Sequence, residues 1–176
     1  TRFHLLSLGV VGPLDRTRRT HAIADATVAA TGGPLPVLLF TPGYGVPPGF
    51  YRGIIEPVVS HGYVIAAISH PHESGAIRYT DGSVLMPQEP LPDAETIEAA
   101  TAAEYVNPTL PDAGFVLDRL REMTLPHSLS DRIDLRRVGY LGHSLGASTA
   151  IEAARRVPDV AAAVSLDGWA RPLSEA

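Results

Sequence analysis

The sequence of 176 residues contains no cysteine. Disulfides and thiolate metal sites are therefore excluded as ways of holding the fold together. Apolar residues make up 45% of the chain, which is enough to form a substantial core, and the length does not require two domains. We expect one domain spanning residues 1–176.

Positive charge is also scarce, with 14 Lys and Arg against 19 Asp and Glu and a formal net charge of −5. Nucleic acid is not expected as a partner, because phosphate backbones are bound by clustered positive charge. The apolar runs fall far short of the ~18 to 20 residues that cross a bilayer, so no transmembrane segment is predicted. Because the first residue is not methionine, we expect a processed or truncated start.

Four short apolar segments are typical of strands buried on both faces: PVLLFT (36–41), YVIAAIS (63–69), RVGYLG (137–142) and VAAAVSL (160–166). Three helical patterns lie between or after them: GFYRGIIEPVVSHG with a break at Pro57, PDAGFVLDRLREM with Phe115, Val116, Leu120 and Met123 on one face, and SLGASTAIEAARRV, which Pro158 ends. Strands that alternate with helices predict an α/β fold with a parallel central sheet, right-handed crossovers and helices on both faces.

Residues 70–111 interrupt this alternation. The segment GAIRYTDGSVLM predicts a hairpin that turns at Asp81 and Gly82, and PDAETIEAATAAEY (92–105) predicts a short acidic helix. The segment follows the carboxyl end of a strand, which is the edge where open parallel sheets bind ligands. We interpret 70–111 as an insertion that lies near a site at that edge.

The stretch VGYLGHSLGAS (138–148) contains a G-x-S-x-G pattern, with Ser144 between Gly142 and Gly146. It lies between a buried strand and an alanine-rich helix, which is the setting of a nucleophile elbow. The N-terminus of that helix would offer free N–H groups to a developing oxyanion. The alternative is that the two glycines only permit tight packing.

The loop FTPGYGVPPG (40–49) follows the first predicted strand, where this architecture provides its second oxyanion donor. We expect the N–H groups of Tyr44 and Leu145 to be the two donors. The glycines on either side of Tyr44 would let the backbone approach a ligand closely. The alternative is that the segment PGYG is only a turn.

Asp167 follows the last predicted strand at the same edge, where a carboxylate can orient an imidazole. The triad order in this architecture is Ser, acid, His, yet the residues after Asp167, GWARPLSEA, contain no histidine. Among the seven histidines, His70 and His72 lie nearest this edge, and we expect them to line a site rather than to catalyse. The side chain of His143 should point away from the path of the nucleophile.

Three separated motifs carry a family resemblance: LPVLLFTPGYGVPPGFYRGIIEPVVSHGYVIAAISHP, VGYLGHSLGAS and VSLDGWARPL. Over residues 21–175 the chain resembles the platelet-activating-factor acetylhydrolase-like branch of the α/β-hydrolases. The resemblance implies an α/β-hydrolase fold, incomplete at both ends. It also implies Ser144 as nucleophile, Asp167 as triad acid, the Tyr44 and Leu145 amides as oxyanion hole, and no metal or organic cofactor.

The expected function is therefore that of a serine hydrolase acting on carboxylic esters, either short acyl esters or the acyl esters of phospholipids. PGYG and SHGYV are also similar to the bacterial cutinases and polyester hydrolases, which place their acid after a further strand. A non-catalytic binding module and acyl transfer to an acceptor other than water stay open as alternatives. Phe50, His70 and Trp169 are candidates for a substrate cleft, with Phe50 and Trp169 as core aromatics the competing interpretation. The similarity to often-secreted bacterial enzymes and the lack of cysteine favour an extracellular location.

Overall fold

The computed structural model of the protein describes residues 21–23, 26–28, 32–79, 81–87, 103–122 and 127–169. A four-stranded parallel sheet forms the centre and follows the order β2-β1-β5-β6. Its strands are β1 (Leu35–Thr41), β2 (Val64–Ala67), β5 (Ile133–His143) and β6 (Val160–Leu166). These are the four strands that the apolar segments predict, and β5 begins four residues earlier than expected. The expected burial on both faces is wrong for β6, which is last in the strand order of the described sheet and is exposed at residues 161–165.

A separate hairpin is formed by β3 (Ile77–Arg78) and β4 (Val84–Leu85), which pair antiparallel. Its turn contains Asp81 and Gly82, as predicted, and Gly82 has φ +89°. The Asp81 carboxylate accepts hydrogen bonds from the backbone N–H (2.8 Å) and the hydroxyl (2.6 Å) of Ser83. These bonds close the turn locally, without help from the central sheet.

The described helices are α1 (Arg52–Ser60), α2 (Ala103–Glu122), α3 (His127–Ser130) and α4 (Leu145–Arg156), with a 3-10 turn at Pro48–Tyr51 before α1. The predicted break at Pro57 is wrong, because α1 continues through this residue. Proline removes the bond to the carbonyl four residues earlier, which belongs to Gly53. Both residues are exposed, so water can reach that carbonyl.

Helix α2 is longer than the pattern predicts and presents a different face to the core. The predicted face included Phe115, whose side chain is 56% exposed and lies under the Arg119 guanidinium at 5.5 Å. The buried face is formed by Val106, Leu110, Ala113 and Leu117, while Val116 and Leu120 pack at its border. Residues 92–102 of the predicted acidic helix, together with Met123, lie outside the described residues; 103–105 belong to the start of α2.

The two faces of β1 are covered by different helices, as period-two alternation requires. Val37 and Leu39 are fully buried in a core that includes residues of α2 and α4. Phe40 points to the opposite face, where its ring packs on Tyr51 at 5.0 Å just before α1. Helices therefore cover both faces of the sheet, as predicted.

The strand register brings three loops to one edge of the sheet. Thr41, the last residue of β1, is opposite Gly142 near the end of β5, and His143 is opposite Leu166 at the end of β6. The segments that follow these strands begin at Pro42, Ser144 and Asp167. Because all the strands are parallel, these segments meet at the carboxyl edge.

Candidate active site

Ser144 occupies a sharp turn between β5 and α4. Its backbone has φ +53° and ψ −122°, a region that a residue with a side chain adopts at a cost of about 1 to 3 kcal/mol. A Cβ on Gly142 would lie 2.0 Å from the carbonyl oxygen of Gly146, and one on Gly146 would lie 2.3 Å from that of Thr41. Only glycine fits at either position, so the turn combines a strained serine with two neighbours that have no side chain.

The loop of residues 42–46 packs directly against this turn. A Cβ on Gly43 would lie 3.3 Å from the Cβ of Ser144 and 3.2 Å from Nδ1 of His143. The N–H of Gly45 donates to the carbonyl of Glu73 at 2.7 Å, and the N–H of Val46 donates to that of Gly43 at 3.1 Å. Within the described ranges, no hydrogen bond uses the N–H of Tyr44 or of Leu145. Of these two predicted oxyanion donors, Leu145 directly follows Ser144, and Tyr44 directly follows Gly43, which packs against the serine turn.

A chain of polar groups, which is buried as far as His70 and ends at the half-buried Asp112, supports the loop from the face covered by α2 and α4. The hydroxyl of Thr41 bonds to that of Tyr140 at 2.6 Å and to Nε2 of His70 at 3.0 Å. Nδ1 of His70 bonds in turn to Asp112 at 2.5 Å. Because both ring nitrogens of His70 are engaged and the residue is only 3% exposed, it is not available to take a proton from Ser144.

A second group supports the loop from the opposite face. The N–H of Gly43 donates to the hydroxyl of Tyr51 at 3.0 Å, and the same hydroxyl bonds to Nδ1 of His143 at 2.8 Å. The side chain of His143 is therefore occupied with Tyr51. Sequence reasoning did not single out Tyr51, since a tyrosine at the start of a helix carries no motif that reveals such a contact.

Asp167 lies where the sequence predicts, directly after β6. The N–H of Ser144 donates to the carbonyl of Leu166 at 2.8 Å, which ties the end of β6 to the serine turn. A Cβ on Gly168 would lie 2.4 Å from that of Ala147, so the segment after Asp167 is packed tightly against α4. Asp167 itself is exposed and has φ +57°. No hydrogen bond or ion pair in the described part of the chain joins it to a histidine.

The hydroxyl of Ser148, on the first turns of α4, holds the segment after Asp167 in place. It accepts the N–H of Trp169 at 3.1 Å and lies 3.3 Å from the carbonyl oxygen of the same residue. Ser148 is 1% exposed. This buried contact connects the acid-bearing segment to the helix that begins at the nucleophile, and sequence reasoning missed it.

The three residues predicted as a substrate cleft have different surroundings in the described structure. His70 lines a cavity of about 10 Å³ behind the loop, together with Tyr44, Glu73 and Leu145. Phe50 is 57% exposed and lines a separate open groove beside α1, and Trp169 is half-buried against the core. Trp169 therefore contacts the core, as the interpretation of these two residues as core aromatics predicts, whereas Phe50 is exposed.

Burial is the largest cause of the pKa shifts of the ionisable side chains around the small cavity. Burial, with a smaller contribution from the Asp112 carboxylate, raises the pKa of Glu73 to about 7. Burial is also the first cause that raises the pKa of Tyr44, followed by the charge of Glu73. Glu73 can therefore gain or lose a proton near neutral pH at a position that touches the oxyanion loop.

The described residues contain no group of three or more His, Asp or Glu side chains placed to hold a metal ion. Among the helices that the structure describes, none has the length and apolar character needed to span a membrane.

The family model for platelet-activating factor acetylhydrolase, isoform II, matches residues 15–105 and 110–176. The chain belongs to this family. The similarity to the acetylhydrolase branch that the three motifs predict is thereby confirmed, and so is the α/β-hydrolase fold.

Two curated proteins whose names describe acetylhydrolases or esterases are similar in sequence to most of this chain. A "Probable 1-alkyl-2-acetylglycerophosphocholine esterase" of Arthroderma benhamiae is 27% identical over 135 residues, covering 76% of this chain and 31% of the relative. The platelet-activating factor acetylhydrolase of Canis lupus familiaris is 26% identical over 167 residues, covering 83% of this chain and 38% of the relative. The chain thus spans about a third of the length of these two acetylhydrolase relatives.

Among solved structures, a ferulic acid esterase from Streptomyces cinnamoneus superposes with a TM-score of 0.68 at 33% identity. The match covers 85% of this chain and 41% of that one. The similarity to this esterase supports the same fold as the family match does.

Proposed function

We propose that the protein hydrolyses carboxylic esters through an acyl-enzyme on Ser144. The observation that carries the proposal is the turn at Ser144: a serine at positive φ at the N-terminus of α4, next to the Leu145 N–H and to the loop of Tyr44, whose N–H groups have no partner among the described residues. Such a turn exposes a hydroxyl to a substrate carbonyl and surrounds it with hydrogen-bond donors. The names of the relatives, which are esterases and acetylhydrolases, support the same reaction class.

In the proposed reaction, the Ser144 Oγ forms a bond to the ester carbonyl carbon while its proton passes to a histidine. The oxyanion accepts hydrogen bonds from the Tyr44 and Leu145 amides. The bond to the alcohol then breaks, and the alcohol takes the proton from the histidine. Water repeats the sequence on the acyl-enzyme and releases the acid.

The remaining members of the site have supporting roles in this proposal. Asp167 orients the histidine and stabilises its protonated form. We place that histidine outside the described residues, because no hydrogen bond or ion pair among them joins a histidine to Asp167 and because His70 and His143 already have other partners. The described start of the segment 70–111 forms one wall of the site in this proposal, since the N–H of Gly45 in the oxyanion loop donates to the carbonyl of Glu73.

We infer that the substrates are short acyl esters, including the acetyl esters of phospholipids. The names of two curated relatives refer to removal of such a group. A series of p-nitrophenyl esters from acetate to octanoate tests this inference. We expect the highest kcat/KM on acetate or butyrate; a clear preference for octanoate would reject it.

Covalent labelling by a fluorophosphonate tests the nucleophile. We expect one label per chain, which Ser144→Ala abolishes and Ser60→Ala leaves in place, because Ser60 is exposed at the end of α1, just before β2 begins, and so at the edge of the sheet opposite the serine turn. Labelling of Ser144→Ala at the rate of the parent protein would refute the role of Ser144. An unlabelled but folded parent protein would instead favour a non-catalytic binding module.

A further inference from the structure

The side chain of Tyr51 links the loop that carries Tyr44 to His143, the residue before the nucleophile. This residue ends the 3-10 turn before α1 and lies on the face of the sheet opposite α2 and α4. Its ring packs on the buried Phe40 at 5.0 Å and lies 5.4 Å from the ring of His143. The position of the ring is thus determined by the core of the protein and not by the loop.

The hydroxyl of Tyr51 satisfies a group that has no other hydrogen-bond partner in the described structure. Gly43 is buried, and a buried backbone N–H that lacks an acceptor is unfavourable by about 1 to 3 kcal/mol. Tyr51 supplies the acceptor at 3.0 Å. The same oxygen is 2.8 Å from Nδ1 of His143, the residue directly before Ser144.

The number of protons available determines the direction of the bond between the Tyr51 hydroxyl and Nδ1 of His143. A phenolic hydroxyl has one proton, and the arrangement that uses every group has Tyr51 donating to Nδ1 while it accepts from Gly43. Burial raises the pKa of Tyr51 above its ordinary value, so the hydroxyl keeps this proton at neutral pH. In this arrangement Nδ1 of His143 is the accepting nitrogen of the ring.

These bonds determine the orientation of the peptide that contains the Tyr44 N–H. That peptide lies between Gly43, which Tyr51 holds, and Gly45, whose N–H is bound to the carbonyl of Glu73 at 2.7 Å. Both neighbours of Tyr44 are therefore anchored, while its own N–H has no hydrogen-bond partner among the described residues. An oxyanion donor acts through such prior orientation, and a misplacement of about 1 Å can reduce the rate 100-fold.

We propose that Tyr51 is a positioning residue: its hydroxyl links Gly43 to His143 and thereby holds the Tyr44 amide at the distance from Ser144 that an oxyanion requires. The proposal rests on the ester hydrolysis proposed above. Tyr51 acts only through the loop, so its hydroxyl should matter for the transition state and little for substrate binding.

Tyr51→Phe removes only the hydroxyl and tests the proposal in the full-length enzyme. We expect kcat on p-nitrophenyl acetate to fall about 10- to 100-fold with KM changed by less than about twofold. The matched control is Tyr63→Phe, because Tyr63 is 38% exposed between α1 and β2 and should tolerate the same change without loss. Equal kcat values for the two variants would overturn the proposal.

Nitrogen-15 NMR of the His143 ring provides a readout that does not depend on activity. We expect an unprotonated Nδ1 that accepts a hydrogen bond in the parent protein, and a changed Nδ1 resonance in Tyr51→Phe. An unchanged resonance would show that the bond to His143 is absent. A parent protein that is folded but neither hydrolyses esters nor takes the fluorophosphonate label would reject the proposed function itself, whatever the NMR result.

A second pair of variants applies if Tyr51→Phe does not fold. His143→Asn retains an acceptor close to the position of Nδ1, whereas His143→Leu has none. We expect kcat of the asparagine variant to exceed that of the leucine variant by about 5-fold or more, with similar KM. Equal kcat values in these two variants would contradict the role of the Tyr51 hydroxyl.

Discussion

Gly146 tests how tightly the oxyanion loop and the nucleophile turn fit together. A Cβ at this position would lie 2.3 Å from the carbonyl oxygen of Thr41 and 2.4 Å from that of Pro42. Real Cβ atoms essentially never approach another heavy atom within 3.0 Å, and both of these atoms belong to backbone that cannot swing aside. We therefore expect Gly146→Ala to force the end of β1 and the start of α4 apart.

The size of the effect follows from two opposing contributions. Alanine is favoured over glycine inside a helix by about 0.8 to 1 kcal/mol. Overpacking against fixed neighbours costs about 1 to 3 kcal/mol, and two carbonyl groups place Gly146 at the upper end of that range. The net expectation is a loss of about 1 to 2 kcal/mol in the free energy of unfolding, accompanied by displacement of the loop that carries Tyr44.

Gly114, inside α2, provides the matched control. A Cβ there would have no heavy atom within 4 Å, so Gly114→Ala should show only the gain in helix propensity, about 0.5 to 1 kcal/mol. Urea denaturation measures both variants: with a slope of about 1 to 3 kcal/mol per M, the midpoints should move in opposite directions. Fluorophosphonate labelling should slow in Gly146→Ala alone. Midpoints that both rise would refute the close fit at Gly146.

Three further changes have definite expected results. The pKa of Glu73 is about 7 in the folded protein, compared with an ordinary value of 4.5. Between these two pH values the folded state binds more protons than the unfolded state does. The free energy of unfolding therefore falls as pH rises from about 4.5 to 7. We expect this fall in the free energy of unfolding to be about 1 to 2 kcal/mol after allowance for solvent screening, and to be absent or much smaller in Glu73→Gln. Urea midpoints that depend on pH identically in the two proteins would contradict this expectation. Ser148→Ala should lower the unfolding free energy by about 1 to 2 kcal/mol, because it removes the hydroxyl bound to the Trp169 backbone; an unchanged melting temperature would exclude this contact. Tyr140→Phe should destabilise the protein by about 1 kcal/mol through loss of the 2.6 Å bond to Thr41, and a melting temperature equal to or above that of the parent would argue against it.

The strands and the serine turn could be predicted from sequence because each depends on nearby residues. Each strand has a continuous apolar pattern, which predicts the strand even for β6, where residues 161–165 are exposed, and the G-x-S-x-G turn has its glycines within two positions of Ser144. Asp167 was placed by the same logic, since it follows a strand whose carboxyl end meets the site edge. These elements are local in the chain even though the sheet is not.

The contacts that hold the site together could not be predicted, because they join distant residues. Tyr51 and His143 are 92 positions apart, and His70 and Asp112 are 42 apart. Nothing in the immediate sequence around Tyr51 or Asp112 distinguishes a partnered side chain from a solvated one. The face of α2 was misjudged for a related reason: Phe115 is apolar, but packing of Val106, Leu110, Ala113 and Leu117 against the core left it on the outside.

The long separations between the partners also have a kinetic consequence. The bond from Thr41 to Tyr140 spans 99 positions, so the surroundings of Ser144 cannot form until β1 and β5 have met, after the entropy of closing a long loop has been overcome. During refolding, helices α1 and α4 should therefore appear before Ser144 becomes reactive toward a phosphonate. The reactivity of a single serine would then report completion of the fold. A partly folded chain that already contains much of the native helix would not react with the phosphonate.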